Sequence, residues 1–204
     1  MRGKEIQTIK LLRTSAALLF VALATGCGHL ISQTIVIEPT LEVPASSIGE
    51  GRNVSVYVVD ERNQTELGRR AVRGGGVITT EQDLAAVFQA LIVENLNTMG
   101  FNAVPVNVGT AGLGSSLLRV DIRSLEYEVF AGILSANIVA EGAMKVTATR
   151  DARSYDHLYR VDEEKHGIMF VPGADSITQM INATVSAVLQ ELFNDVALFR
   201  FLTE

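Results

Sequence analysis

Few residues in this chain have both the type and the spacing that chemistry requires. The sequence holds three histidines, His29, His157 and His166. The latter two share no metal-ligand spacing with Cys, Asp or Glu. Neither Gly-x-Ser-x-Gly nor Ser-x-x-Lys occurs, and Gly112-Leu113-Gly114-Ser115-Ser116 lacks the strand-to-helix context of a nucleophile elbow. Gly74-Gly75-Gly76 precedes a helical pattern but lacks the Lys-Ser/Thr pair that completes a phosphate loop. Asp162, Glu163 and Glu164, followed by Lys165, read as a solvated strand end. Arg69, Arg70 and Arg73 form the basic cluster after the N-terminal segment and could meet phosphate or an acidic partner. On these grounds no catalytic residue, metal or cofactor is expected, and a non-enzyme is the expectation.

Cys27 is different. It is the only cysteine, so no intramolecular disulfide can form. It ends the run Leu23-Ala24-Thr25-Gly26-Cys27, which resembles a lipobox: small residues let an extended backbone enter a signal peptidase, and the thiol can form a thioether to diacylglycerol. Ala24 stands where leucine is commonest in such a run. Upstream lie Arg2, Lys4, Lys10 and Arg13, then the apolar stretch from Ser15 to Leu23. This is the basic and apolar order of a secretory signal, and the stretch falls short of the ~20 apolar residues of a transmembrane helix. The expectation is a cleaved signal over 1–26 and a lipidated N-terminus and tether over 27–33. The only cofactor-like groups expected are the covalent diacylglycerol and N-acyl lipid on Cys27. An uncleaved anchor, or an ordinary signal with an incidental cysteine, is the alternative. Gly28, rather than aspartate, follows the cysteine, which favours the periplasmic face of the outer membrane.

Charge agrees with an anchor rather than surface adhesion. The 204-residue chain carries −6 overall, and the segment before Cys27 carries +3, leaving −9 for the remainder. Such a surface is repelled by nucleic acid and by anionic headgroups. Two or three acyl chains would hold it instead, since each buried methylene contributes about 0.8 kcal/mol.

The elements over 34–204 read as a single α+β periplasmic domain. Thr34 to Glu38 is β-rich, but Pro39 and Pro44 make it an edge strand or an extended strap. Val54 to Asp60 is a strand. Leu84, Val87, Phe88, Leu91, Ile92, Leu96 and Met99 fall at helical spacing, with Thr79 and Gln82 as a capping box and Gly100 as the stop. Leu118, Val120 and Ile122 alternate with Arg119, Asp121 and Arg123, and the phase shifts near Ser124-Leu125, where a bulge is expected. Ile138 to Ala148 alternates again, and a further strand falls between Tyr155 and Phe170. Asp175 would cap a last helix with an apolar stripe from Ile177 to Val196. The expected fold is a mostly antiparallel sheet with two long helices packed on one face. Leu198, Phe199, Phe201 and Leu202 lie past that stripe. They either pack back on the sheet or form an exposed apolar surface that docks a partner.

Taken together, several features resemble the YajG family of uncharacterised bacterial lipoproteins. They are the lipobox at Cys27, the Thr34–Pro39 strap with Leu41 and Pro44, and Val54-Ser55-Val56 leading to Asp60-Glu61-Arg62. They continue with the helix ending in Met99-Gly100-Phe101, Leu118-Arg119-Val120 through Leu125 and Tyr127, and Tyr159-Arg160-Val161. The resemblance implies location and fold and supplies no catalytic residues. The function expected is a membrane-anchored, non-catalytic accessory component that binds another envelope protein, with self-association as a further expectation. Phe199, Phe201, Leu202, Arg69, Arg70 and Arg73 are the candidate contacts. A module that binds lipid or a cell-wall fragment between helices and sheet is the alternative.

Overall fold

A computed structural model describes residues 31–71, 75–108, 115–131, 135–168 and 172–204. Cys27, His29 and Arg73 lie outside these, as does the cleavage expected before Cys27. The strands are β1 (Gln33–Thr34), β2 (Asn53–Asp60), β3 (Gly68–Arg69), β4 (Val77–Thr79), β5 (Asn102–Pro105), β6 (Ser116–Ala131), β7 (Ala136–Arg150) and β8 (Arg153–Ile168). The helices are α1 (Leu84–Thr98), α2 (Ala174–Asn194) and α3 (Val196–Thr203).

The long strand β6 organises the sheet. Along one side it pairs in parallel with β2 and, further on, with β3 at Tyr127. On its other side β7 runs antiparallel, and β8 runs antiparallel on β7. Beyond β2 lies parallel β5, while β4 and then β1 extend from β3. The sheet is therefore mixed rather than mostly antiparallel. The physical reason is connection length: α1 carries the chain back between β2 and β5, and a crossover of that kind returns a strand in its original direction. The three longest strands follow hairpin logic and pair antiparallel. The register shifts between Ile122 and Ser124, where the sequence loses its phase.

Val54, Val56 and Val58, Leu118, Val120 and Ile122, and Ile138, Met144 and Val146 turn to one face and are buried. Beyond the bulge, Leu125 and Tyr127 resume that face. Leu84, Phe88, Ile92 and Leu96 of α1 and Ile177, Ile181, Val185, Val188 and Leu192 of α2 complete one apolar cluster. Each such side chain contributes about 1.5–3 kcal/mol before ordering entropy. Close approach of α2 needs Gly142, where an added Cβ would lie 3.0 Å from Thr184 Cγ2. Gly100 ends α1's last turn at φ 86°, a left-handed conformation that glycine adopts without strain. Two caps differ from expectation. Asp83, not Thr79, caps α1 by accepting from Ala86 N, and Gly173 rather than Asp175 precedes α2. The last apolar stripe is also divided, because Asp195 leaves the helical conformation and starts α3.

Gln82 has another task. The segment from Ile35 to Pro44 is an extended strap, with Ile35 and Ile37 buried. Gln82 Oε1 accepts from Ile37 N at 2.5 Å and its Nε2 donates to Ile37 O at 3.3 Å, as a neighbouring strand would. Along α2, residues four apart serve the strap in turn. Thr178 Oγ1 accepts from Gln33 Nε2, Asn182 Oδ1 from Glu38 N, Ser186 Oγ from Thr40 N, and Gln190 Oε1 from Glu42 N. The match is geometric: four helical residues rise about 6.0 Å and two extended residues about 6.6 Å. Gln82→Ala is expected to cost about 2 kcal/mol, since it leaves a buried N–H and C=O unsatisfied. Hydrogen exchange at the Ile37 amide would check this, with Gln82→Glu intermediate because it keeps only the acceptor.

Candidate functional site

The face of the sheet opposite the helices is open, and its charges are arranged to neutralise one another. Arg119 Nε reaches Asp121 Oδ1 at 2.6 Å and Arg119 Nη2 reaches Glu61 Oε1 at 2.9 Å. Arg123 Nη1 meets Glu61 Oε2 at 2.7 Å, and its Nη2 meets Asp121 Oδ2 at 3.4 Å. Two guanidiniums and two carboxylates thus form a closed ring. Strand alternation puts Arg119, Asp121 and Arg123 on this face, and the register shifts at Arg123, before Ser124. The Arg119 guanidinium is held more firmly charged, chiefly by its bond to Asp121. Its positive plane also sits 5.9 Å from the Tyr57 ring centre. With its valences filled internally, the ring makes a structural brace rather than a reactive centre.

Toward β8 the same face changes character. Leu158 is 58% exposed. It borders a shallow concavity of about 560 Å³ with Arg123, Ser124, Glu141, Ala143 and Lys145. Asp156 accepts from Thr147 Oγ1 at 2.6 Å and pairs with Lys145 at 3.5 Å. Arg160 pairs with Glu141 at 2.6 Å. Among the described residues β8 pairs only with β7, so its second edge is open. A second groove, of about 430 Å³, holds Arg69 among Gln64, Glu66, Glu126, Glu128 and half-exposed Phe130. Neither concavity lies between helices and sheet, where the apolar cluster fills the space.

A sequence model of a family described as uncharacterised lipoprotein matches residues 39–203. The chain belongs to this lipoprotein family. That agrees with the YajG resemblance drawn from the strap, strands and helix ends. No curated protein matches the chain. Among solved structures, a protein described as a "putative neuraminyllactose-binding hemagglutinin homolog" from Helicobacter pylori is 8% identical, with a TM-score of 0.49. The match covers 84% of this chain and 97% of that one. An uncharacterised protein is 12% identical over 80% of this chain and 99% of its own, with a TM-score of 0.43. A hypothetical protein from Chlamydia trachomatis is 13% identical over 74% and 96%, with a TM-score of 0.35. None of these likenesses bears on function.

In this lipoprotein the C-terminal apolar residues pack back onto the core, the first of the two arrangements expected. Phe199 is 3% exposed and Leu202 0%. Phe199 packs between Phe101 and Phe193, and half-buried Phe201 lies against Tyr155 and under the Arg153 guanidinium. The exposed alternative does not fit this burial: Asp195 breaks the helix, and α3 turns its apolar side back onto the core. Of the arginine cluster, Arg69 and Arg70 are among the described residues, and both are engaged. Arg69 Nη2 faces Glu66 Oε2 at 3.4 Å, while Arg70 Nη1 donates to Ile31 O at 3.3 Å and Arg70 N to Gly76 O at 3.0 Å. Exposed His166 pairs with Glu164 at 2.9 Å, and His157 stacks between Tyr155 and Tyr159.

Sequence reading missed Asp195 altogether. Its Oδ2 accepts from the hydroxyls of both Tyr155 and Tyr159 at 2.5 Å, while Oδ1 accepts from Ala197 N and Leu198 N. Burial pushes this carboxyl up, but the two tyrosines and the two helix amides outweigh it, so it titrates below the usual carboxylate range. Conversely, burial and the carboxylate push Tyr155 up to about 12 and Tyr159 further still. The cluster locks β8 to the α2–α3 junction, so the outer edge strand is held from behind. Only the side chains' convergence on one carboxylate reveals it; the tyrosines' i, i+4 spacing, which puts both on one face of a strand, was the available signal.

Among the described residues no helix is long and apolar enough to cross a membrane.

Proposed function

We propose that the protein is a lipid-anchored, periplasm-facing lipoprotein of the outer membrane, non-catalytic, that serves as an accessory component by binding another envelope protein. The observation that carries this reading is the family match starting at residue 39, a short distance after the lipobox-like Leu23–Cys27. Cys27 takes the diacylglycerol and N-acyl groups, and Gly28 leaves the outer-membrane route open. The strap from Ile35 to Pro44 fixes the chain firmly to α2 soon after the tether, so a partner would meet a domain held close to the bilayer. The charge ring and edge pairs on the open face favour protein contact over catalysis, because their groups are engaged with one another.

Mass spectrometry of the N-terminal peptide tests the anchor, with Cys27→Ala as control. A cleaved, acylated Cys27 is expected, with the protein sedimenting with outer membranes. An uncleaved N-terminus would overturn the anchor. In-cell crosslinking of the tagged full-length protein tests the accessory role. One reproducible envelope protein, lost in Cys27→Ala, is the expected result; capture of lipid alone would overturn it.

A further inference from the structure

We propose that the open edge of β8 pairs antiparallel with β8 of a second copy of this chain, in a register centred on Leu158. The backbone shows which groups are available. Tyr127 N donates to Leu67 O, and Ile122 O accepts from Glu61 N, so these core-facing residues of β6 direct their polar groups away from β7. Ile122 pairs with Met144, and Met144 with Tyr159. Alternation across these registers turns the N–H and C=O groups of Tyr159 toward β7 and those of Ser154, Asp156, Leu158, Arg160 and Asp162 toward the free side. Among the described residues, alternate positions of the sixteen-residue β8 thus present a long unpaired ladder, the feature that recruits another strand.

The side chains select the partner. About Leu158 the charges of β8 are antisymmetric: Asp156 against Arg160, and Arg153 against Glu163. A two-fold axis through Leu158 therefore sets each acid opposite a base of the other copy. It also sets Ser154 opposite Asp162 and exposed Leu158 against itself. No like charges face each other from 153 to 163. On the open face this gives a row of alternating sign: Lys145 and Asp156 of one copy, then Arg160 and Glu141 of the other. Neighbouring registers fail. With the axis on Tyr159, Asp156 opposes Asp162 and Arg153 opposes Lys165. With the axis on Arg160 two guanidiniums collide, and with the axis on His157 the cross-strand ion pairs are lost. Opposite-charge pairs stabilise a ladder and directly opposed like charges destabilise it, so one register is singled out. An edge charged only for protection would need no such antisymmetry. The arrangement keeps both helical layers on the same face. With α2 over β7 and β8, the two α2 axes would lie about 10 Å apart, an ordinary helix packing distance. This pairing goes beyond the accessory reading and holds whether or not that reading does.

Disulfide trapping in the full-length protein, expressed in a bacterial envelope, tests it. Leu158→Cys is expected to give a reducible dimer under mild oxidation, because opposed Cα atoms in a hydrogen-bonded pair lie about 5.5 Å apart. Glu164→Cys, away from the axis, is expected to give only background. Adding either Asp156→Arg or Arg160→Asp to Leu158→Cys should lower the trapped fraction about tenfold. Co-expressing those two variants with tags of different size should restore a mixed dimer, since the exchanged charges then face each other. That rescue separates lost complementarity from misfolding. Trapping at Leu158→Cys no greater than at Glu164→Cys, absence of rescue, or a reducible adduct with a different protein at this edge would each overturn the proposal.

Discussion

Phe199→Ala is expected to destabilise the fold by about 4 kcal/mol, the usual range for removing a buried phenylalanine. The ring is 3% exposed, with the Phe101 centroid 6.0 Å away and that of Phe193 6.5 Å away. It joins α3 to the end of α2 and to the segment leading into β5. Truncation leaves a cavity that neighbours on three elements cannot easily close. Phe201→Ala should cost only about 1 kcal/mol, because that half-buried ring loses mainly its contacts with Tyr155 and Arg153. Urea midpoints of the two variants give the comparison. Equal, small effects would mean that α3 is not seated as described.

Asp195→Ala is expected to cost about 3 kcal/mol at neutral pH, combining a helix cap of about 1 kcal/mol with charge-assisted tyrosine bonds. Tyr155→Phe and Tyr159→Phe should each reproduce part of that loss, with the more buried Tyr159 costing more. The sign of the pH dependence follows from the depressed carboxyl. Its folded-state pKa lies below the ordinary aspartate value of 3.8, so its contribution is complete above that value. It is lost as pH falls through the lower folded value, where the native state too becomes protonated. Stability of the parent should therefore drop below pH 4 more steeply than that of Asp195→Asn, which cannot titrate. Parallel curves for the two proteins would contradict the assignment.

The parts of this fold that were legible in the sequence are those fixed by local pattern. Alternation from Leu118 to Ile122, its break before Ser124, and the helix stopped by Gly100 are consequences of neighbours in the chain. Pro39 and Pro44 likewise limited their segment to an edge strand or a strap. What holds the strap was not legible, because Thr178, Asn182, Ser186 and Gln190 read as an ordinary wet helix face until an extended segment lies along them. Parallel pairing of β2 with β6 is similarly non-local: nothing near Val54 specifies Ser116. Asp195 interrupts an apolar stripe that would otherwise continue, and the break became visible only through the groups converging on its carboxylate. As for function, the charges of β8 look like a solvated strand end. Their antisymmetry acquires meaning only when the strand is known to lie at an edge.

The strap has a mechanical consequence. It runs alongside α2 in the same direction as the helix, from Gln33 beside Ala174 to Glu42 beside Gln190. Tension applied at its N-terminal end along this line loads the attachments at Gln33, Ile37, Glu38, Thr40 and Glu42 in shear, sharing the force among them. Tension perpendicular to the helix would instead open them one after another from Gln33. The domain's grip on its own strap therefore depends on the direction of pull.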